Sequence, residues 1–193
     1  MHLSDGILPA GISLAGQLAA LGAVSAAGRR LESREIPAMG IFAAALFAVS
    51  LLHLPIGGTS LHPGFYGLAG MILGRRVLPV IYVTLLFQSL IFQHGGLLAL
   101  GVNSLVIGAG GLLGWLLWDY LNLPARTRAF LCGFSAVVIP AFLVSWIFLM
   151  LDYGKGMLFL MTLYLPAAMV EGLLTVLIST YFQRVQPGLL KKR

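Results

Sequence analysis

Gly28-Arg29-Arg30-Leu31-Glu32-Ser33-Arg34-Glu35 is a short basic stretch set between two long apolar runs, Ile7–Ala27 and Ile36–His53. A membrane-crossing helix needs about 20 predominantly apolar residues, and each run is near that length. The octet therefore reads as an aqueous loop joining two membrane spans. Further apolar segments follow at His62–Leu73, Val77–Gln93, Asn103–Leu121, Arg128–Leu151 and Met157–Phe182, the one from His62 being short. The composition agrees, with 59% hydrophobic and 9% charged residues, against roughly 25% charged in soluble domains. The sequence thus predicts an all-α integral membrane protein, a bundle of about seven transmembrane helices.

The basic residues fix an orientation. The connections at 28–35, Arg75-Arg76, Arg126-Thr127-Arg128 and the tail with Arg184 and Lys191-Lys192-Arg193 alternate with Leu54–Leu61, His94–Gly101 and Asp152–Gly156, which hold only Lys155. An excess of Lys and Arg marks the cytoplasmic side. The N-terminus is expected to be extracytoplasmic and the C-terminus cytoplasmic. Residues 1–193 then form one transmembrane domain, with a tail at 1–6, the bundle at 7–182 and a basic cytoplasmic tail at 183–193. The net charge of +6 serves orientation in such a protein and does not imply a nucleic-acid partner. A single cysteine, Cys132, excludes an internal disulfide and a cysteine-built metal site.

All four histidines, His2, His53, His62 and His94, fall at or near the ends assigned to the outside. The chain opens Met1-His2-Leu3-Ser4-Asp5-Gly6, without the basic n-region of a secretory signal. A free terminal amine, the His2 amide nitrogen and the His2 ring Nδ1 can close two chelate rings around one cation and leave an in-plane position open. Such nitrogen-rich planar sites suit Ni(II) or Cu(II); the alternative is an ordinary interfacial histidine. Asp5 is expected to cap the first helix. Between His53 and His62, Pro55 and the glycines predict irregular backbone, in which Thr59 and Ser60 could orient an imidazole. Gly95-Gly96 after His94 predicts a glycine-broken re-entry into a helix starting at Asn103, a candidate N-cap or support for a liganding histidine.

Two features lie apart from the histidines. Gly11, Ala15, Ala19, Ala23 and Ala27 recur every four residues. This small-residue stripe serves either packing within the bundle or docking of a separate membrane subunit. Glu171 lies inside the last apolar segment, where a carboxylate is costly and needs a partner. Gln88, Thr175 or a group on another subunit are the candidates.

Met1-His2-x-x-Asp5-Gly6, Gly57-Gly58-Thr59-Ser60-x-His62 and Gly95-Gly96-Leu97-x-Ala99-Leu100-Gly101-x-Asn103 together resemble the CbiM/NikM family. These are substrate-binding membrane components of energy-coupling-factor transporters for cobalt and nickel, and the likeness runs over essentially the whole chain. It implies a metal held in a square plane by the Met1 amine, the His2 amide and imidazole, and His62. Ni(II) or Co(II) would be the transported substrate, with no resident cofactor. His53, two residues before Pro55, resembles the nickel branch. Leu3-Ser4 stands where Ile-Pro is usual, His94 where Phe or Asp is usual, and Pro63-Gly64 after His62 is a further departure. The resemblance also implies partners: a transmembrane coupling subunit, ATP-binding subunits and a small accessory membrane subunit. It implies a bacterial or archaeal inner membrane. An intramembrane histidine-dependent enzyme, a bis-histidine haem protein and a vitamin-binding component are the alternatives. The chain lacks the G-x-S-x-G, H-E-x-x-H and G-x-x-x-x-G-K-[ST] motifs that would favour hydrolysis or nucleotide binding.

Overall fold

A computed structural model describes residues 2–52, 54–56, 59–61, 63–153 and 156–190, with the backbone alone at 54–56, 59–61 and 156–159. Among the described residues the α-helices are, in chain order, α1 (Ala10–Gly28), α2 (Ile36–Ser50), α3 (Tyr66–Leu73), α4 (Val77–Phe92), α5 (Leu100–Tyr120), α6 (Ala125–Met150) and α7 (Gly156–Val185). Among the described residues, five helical stretches are long and apolar enough to cross a bilayer, namely Ala10–Gly28, Tyr66–Phe92, Leu100–Tyr120, Ala125–Met150 and Leu160–Val185. The stretch from Tyr66 contains both α3 and α4. The chain breaks between them at Gly74 (φ 61, ψ −138), a conformation that no α-helix contains. At eight residues α3 is only about 12 Å long, and α2, at 15 residues, is also short for a bilayer.

The expectation of irregular backbone after His53 is corrected. Leu54–Ile56 (β1) pairs antiparallel with Thr59–Leu61 (β2), Pro55 opposite Ser60. The pairing satisfies the inward-facing backbone groups of the two strands and leaves their outer edges open. His53, Gly57, Gly58 and His62 lie outside the described residues.

The chain forms two compact units, one comprising residues 1–63 and 75–108, the other 64–74 and 109–193. In the first, α4 packs against α1 and α2. It buries Val77, Val80, Ile81, Thr84, Leu85, Gln88 and Ser89. Where α1 meets the start of α5, side chains are minimal. A Cβ on Gly101 would overlap the Gln17 backbone, and one on Gly16 would overlap Val102. Lipid gives helices no hydrophobic drive to associate, so close backbone approach has to supply the attraction.

Arg76 closes the opposite end of this unit. It is only 5% exposed. Its guanidinium donates to the carbonyls of Ala27, Arg29 (3.0 Å) and Arg30 (2.9 Å) at the end of α1, and to both Glu35 oxygens at 3.0 Å. Those carbonyls lack partners within their own helix, and a cation is also favoured there by the helix dipole.

The second unit holds α3, the rest of α5, α6 and α7. A Cβ on Gly67 would overlap the Cys132 carbonyl, and one on Gly70 the Gly111 carbonyl, so α3 lies backbone-to-backbone against α5 and α6. Cys132 is buried there, its thiol 3.1 Å from the Gly114 carbonyl. Trp118 is also buried, its indole N–H donating to Leu190 O (3.2 Å) while Arg128 lies over its ring at 4.3 Å.

Candidate metal site

The end of α4 shapes the floor of the site. Gln93 takes a left-handed conformation (φ 52) as the helix terminates. The amides of Gln93 and His94 bond back to Ser89 O (3.1 Å) and Gln88 O (3.2 Å). This is the pairing by which a helix end satisfies its last carbonyls, and here it fixes where His94 leaves the helix. Gly95 (φ 86) and Gly96 (φ 79) then carry the chain through left-handed backbone into α5.

The N-terminal tail lies in this turn. Leu3 is fully buried. Its N–H donates to Asn103 Oδ1 at 2.8 Å and its carbonyl accepts from Asn103 Nδ2 at 2.9 Å. Asp5 Oδ1 accepts the Ala99 N–H at 2.9 Å. A Cβ on Gly96 would overlap the Asp5 carboxylate, and one on Gly95 would come within 3.3 Å of His2 Cβ. Both glycines therefore make room for the tail. The His2 ring sits edge-on to the His94 ring, centroids 4.4 Å apart at 73°.

Several expectations change on this geometry. Asp5 does not cap the first helix: Pro9 occupies that position without a side-chain cap, and Asp5 serves the start of α5. Asn103 is not the N-cap of α5, which begins three residues earlier at Leu100; its amide grips Leu3 instead. His94 is brought against His2. Met1, His53 and His62 fall outside the described residues, and Thr59 and Ser60 are placed by their backbone in β2. Among the described residues no group of three or more His, Cys, Asp or Glu is arranged to hold a metal.

Glu171 finds a partner that the sequence did not offer. Its two carboxylate oxygens accept the backbone N–H of Gly64 (3.3 Å) and of Phe65. The Thr175 hydroxyl goes to the Glu171 carbonyl (2.8 Å) and not to its carboxylate. Gln88 is buried in α4, with no hydrogen bond to its amide among the described residues.

The small-residue stripe of α1 is not one face. Four residues advance an α-helix by about 400°, so a four-residue step drifts about 40° each time. Gly11, Ala15 and Ala19 are exposed, Ala23 is half-buried and Ala27 is buried. The inner face is formed instead by Ser13, Ala20 and Ala27, all buried.

Comparison with known proteins places this geometry in a family. A Haemophilus influenzae protein named for metal transport is 34% identical over 202 residues, covering 100% of this chain and 98% of its own length. The cobalt transport protein CbiM of Geobacter sulfurreducens is 31% identical, covering 100% of this chain and 62% of its own. A fused cobalt transport protein CbiMQ of Methanocorpusculum labreanum is 27% identical over 98% of this chain and 36% of its own length. Crystal structures of a transition metal transporter and of a truncated one share the fold. Their TM-scores are 0.85 and 0.81, at 23% and 21% identity over 96% of this chain and 93% and 99% of theirs. The family profile for CbiM, the cobalt uptake substrate-specific transmembrane region, matches residues 2–189. The chain is thus a multi-pass membrane component of metal uptake and belongs to the CbiM family.

Proposed function

We propose that the chain is the substrate-binding component of an energy-coupling-factor transporter in a bacterial or archaeal inner membrane, taking Ni(II) or Co(II) from the outside. The cation is held by the Met1 amine, the His2 amide and imidazole, and His62, within a single transmembrane domain of about seven crossings. His53, His94, Thr59, Ser60 and Asn103 surround or support the ligands. The observation that carries this reading is the seating of the tail. Leu3 is clamped at both its amide and its carbonyl by Asn103, and His2, directly before it, lies with its ring 4.4 Å from that of His94. A tail serving only as a helix lead-in would need no such clamp.

Energy has to come from elsewhere, since the chain carries no Walker motif. A transmembrane coupling subunit and ATP-binding subunits supply it, with a small accessory membrane subunit. The fused CbiMQ relative supports a coupling partner. Extending the chain by one residue before Met1 moves the amine out of the chelate rings. Calorimetric titration of the extended protein should show high-affinity Ni(II) binding abolished with the melting temperature unchanged. Native affinity in that variant would refute the site. Metal binding displaces protons from its ligands. An ordinary amine loses its proton near about pH 7.7–8.0 and an ordinary imidazole near about 6.5. Affinity should accordingly fall as pH drops through this range.

A further inference from the structure

Glu171 does not cap α3 in the ordinary way. An N-capping side chain accepts from the second or third residue inside its helix. Here Phe65 is the N-cap residue, and the carboxylate takes the N–H of Phe65 and of Gly64 before it. The grip is on the connection entering α3, immediately after His62-Pro63.

That connection is strained. Phe65 sits in the left-handed region (φ 48, ψ 21), where a bulky residue is an outlier. Such a conformation persists only when its surroundings over-determine it, and it concentrates at functional sites. The surroundings are visible. Glu171 is 4% exposed, and a Cβ on Gly133 would come within 2.7 Å of its carbonyl oxygen, which fixes its stretch of α7 against α6. On the other side a Cβ on Gly64 would meet the Tyr66 ring, so the chain there has no slack. A carboxylate deep in a membrane helix is expensive, whereas a local Ser or Asn would cap a short helix cheaply. The cost makes sense where the backbone being held needs a fixed position for another purpose.

We propose that Glu171 is a positioning residue for the metal site: by gripping the Gly64 and Phe65 amides it fixes the backbone that directly follows His62-Pro63 in sequence. The inference rests on the proposed role of His62 as a ligand. Gly64 lies two positions after His62, a reach of about 7 Å at most, so loosening Gly64 would loosen the proposed ligand. Groups that orient a liganding histidine typically contribute 10–100-fold to metal affinity.

The test is a double-mutant cycle read by Ni(II) titration of purified protein, with melting temperature followed in parallel. Glu171→Ala should weaken Ni(II) binding about 10–100-fold, and Glu171→Gln, which keeps one acceptor, should weaken it less. In a His62→Ala background, where the tail chelate still gives measurable weak binding, neither change should weaken it further. Undiminished affinity in Glu171→Ala, or an equal loss with and without His62, would overturn the positioning role. Should Glu171→Ala fail to fold, the same two comparisons on Glu171→Gln decide it. If His62→Ala alone leaves affinity intact, the site reading beneath the inference has failed, an outcome the single variant identifies by itself.

Discussion

At the scale of single residues, the seating of the tail depends on one amide. Asn103 offers an acceptor and a donor on adjacent atoms, matching the N–H and carbonyl of Leu3. Each bond has a net worth of about 1 kcal/mol, and a buried group left unpaired costs about 1–3. Asn103→Ala removes both partners from a buried backbone unit, so the tail should detach more often than the helices unfold. Releasing two bonds of about 1 kcal/mol each corresponds to a roughly 30-fold loss of Ni(II) affinity. Asn103→Asp keeps the acceptor and sets a carboxylate against the Leu3 carbonyl, so it should be no better than Ala. Titration of both variants against melting temperature checks this. Equal affinity in all three proteins would mean that the tail holds its place without the clamp. The sequence offered Asn103 as a cap of its own helix, and the structure pairs it with Leu3 instead. A cap is a local interaction, readable from adjacent residues, whereas Leu3 is 100 positions away.

At the scale of elements, α1 shows how far a periodic pattern can be trusted. Small residues every four positions were legible at once, but their meaning required the drift of the stripe around the helix. The buried part, at Ala20 and Ala27, packs within the chain. Gly11, Ala15 and Ala19 are left open on the outer face. A coupling subunit bound there needs backbone-close contact, which large side chains would hold apart. Ala15→Leu with Ala19→Leu should therefore cut metal uptake in cells by about tenfold or more, which a loss of about 1.4 kcal/mol of docking free energy would suffice to produce. Ni(II) binding by the isolated protein should not change, because both residues are exposed on the outer face of α1. Full uptake by the double variant would exclude this face as the docking surface. Other elements were less legible. Arg75-Arg76 reads as a loop of two charges, yet Arg76 is the buried clamp on the end of α1, and nothing near it in sequence announces those carbonyls. The pairing of Leu54–Ile56 with Thr59–Leu61 was hidden because proline and glycine in a sequence are as common in loops as in tight hairpins.

At the scale of the whole molecule, class and order of helices were readable because hydropathy is a bulk property of each segment. The number of crossings was not, because α2 and α3 are shorter than a bilayer and their placement depends on neighbours. Sidedness is the claim on which the chemistry turns, since a tail facing the cytosol could not collect an external cation. Two exposed positions test it independently of crossing number. Ser33 lies in the basic connection before α2, and Leu97, 50% exposed, lies in the turn that receives the tail. The native Cys132 is fully buried and within a helix, so it should give little background with an aqueous thiol reagent. In intact cells or spheroplasts, a membrane-impermeant maleimide should label Leu97→Cys and leave Ser33→Cys unlabelled until the membrane is opened. Moving the 11 basic residues of the predicted inner loops across a membrane would oppose a bias that dominates topology, so the two labels should separate cleanly. The reverse pattern would put Met1-His2 in the cytosol and remove uptake from outside, whatever affinity the purified protein shows for nickel.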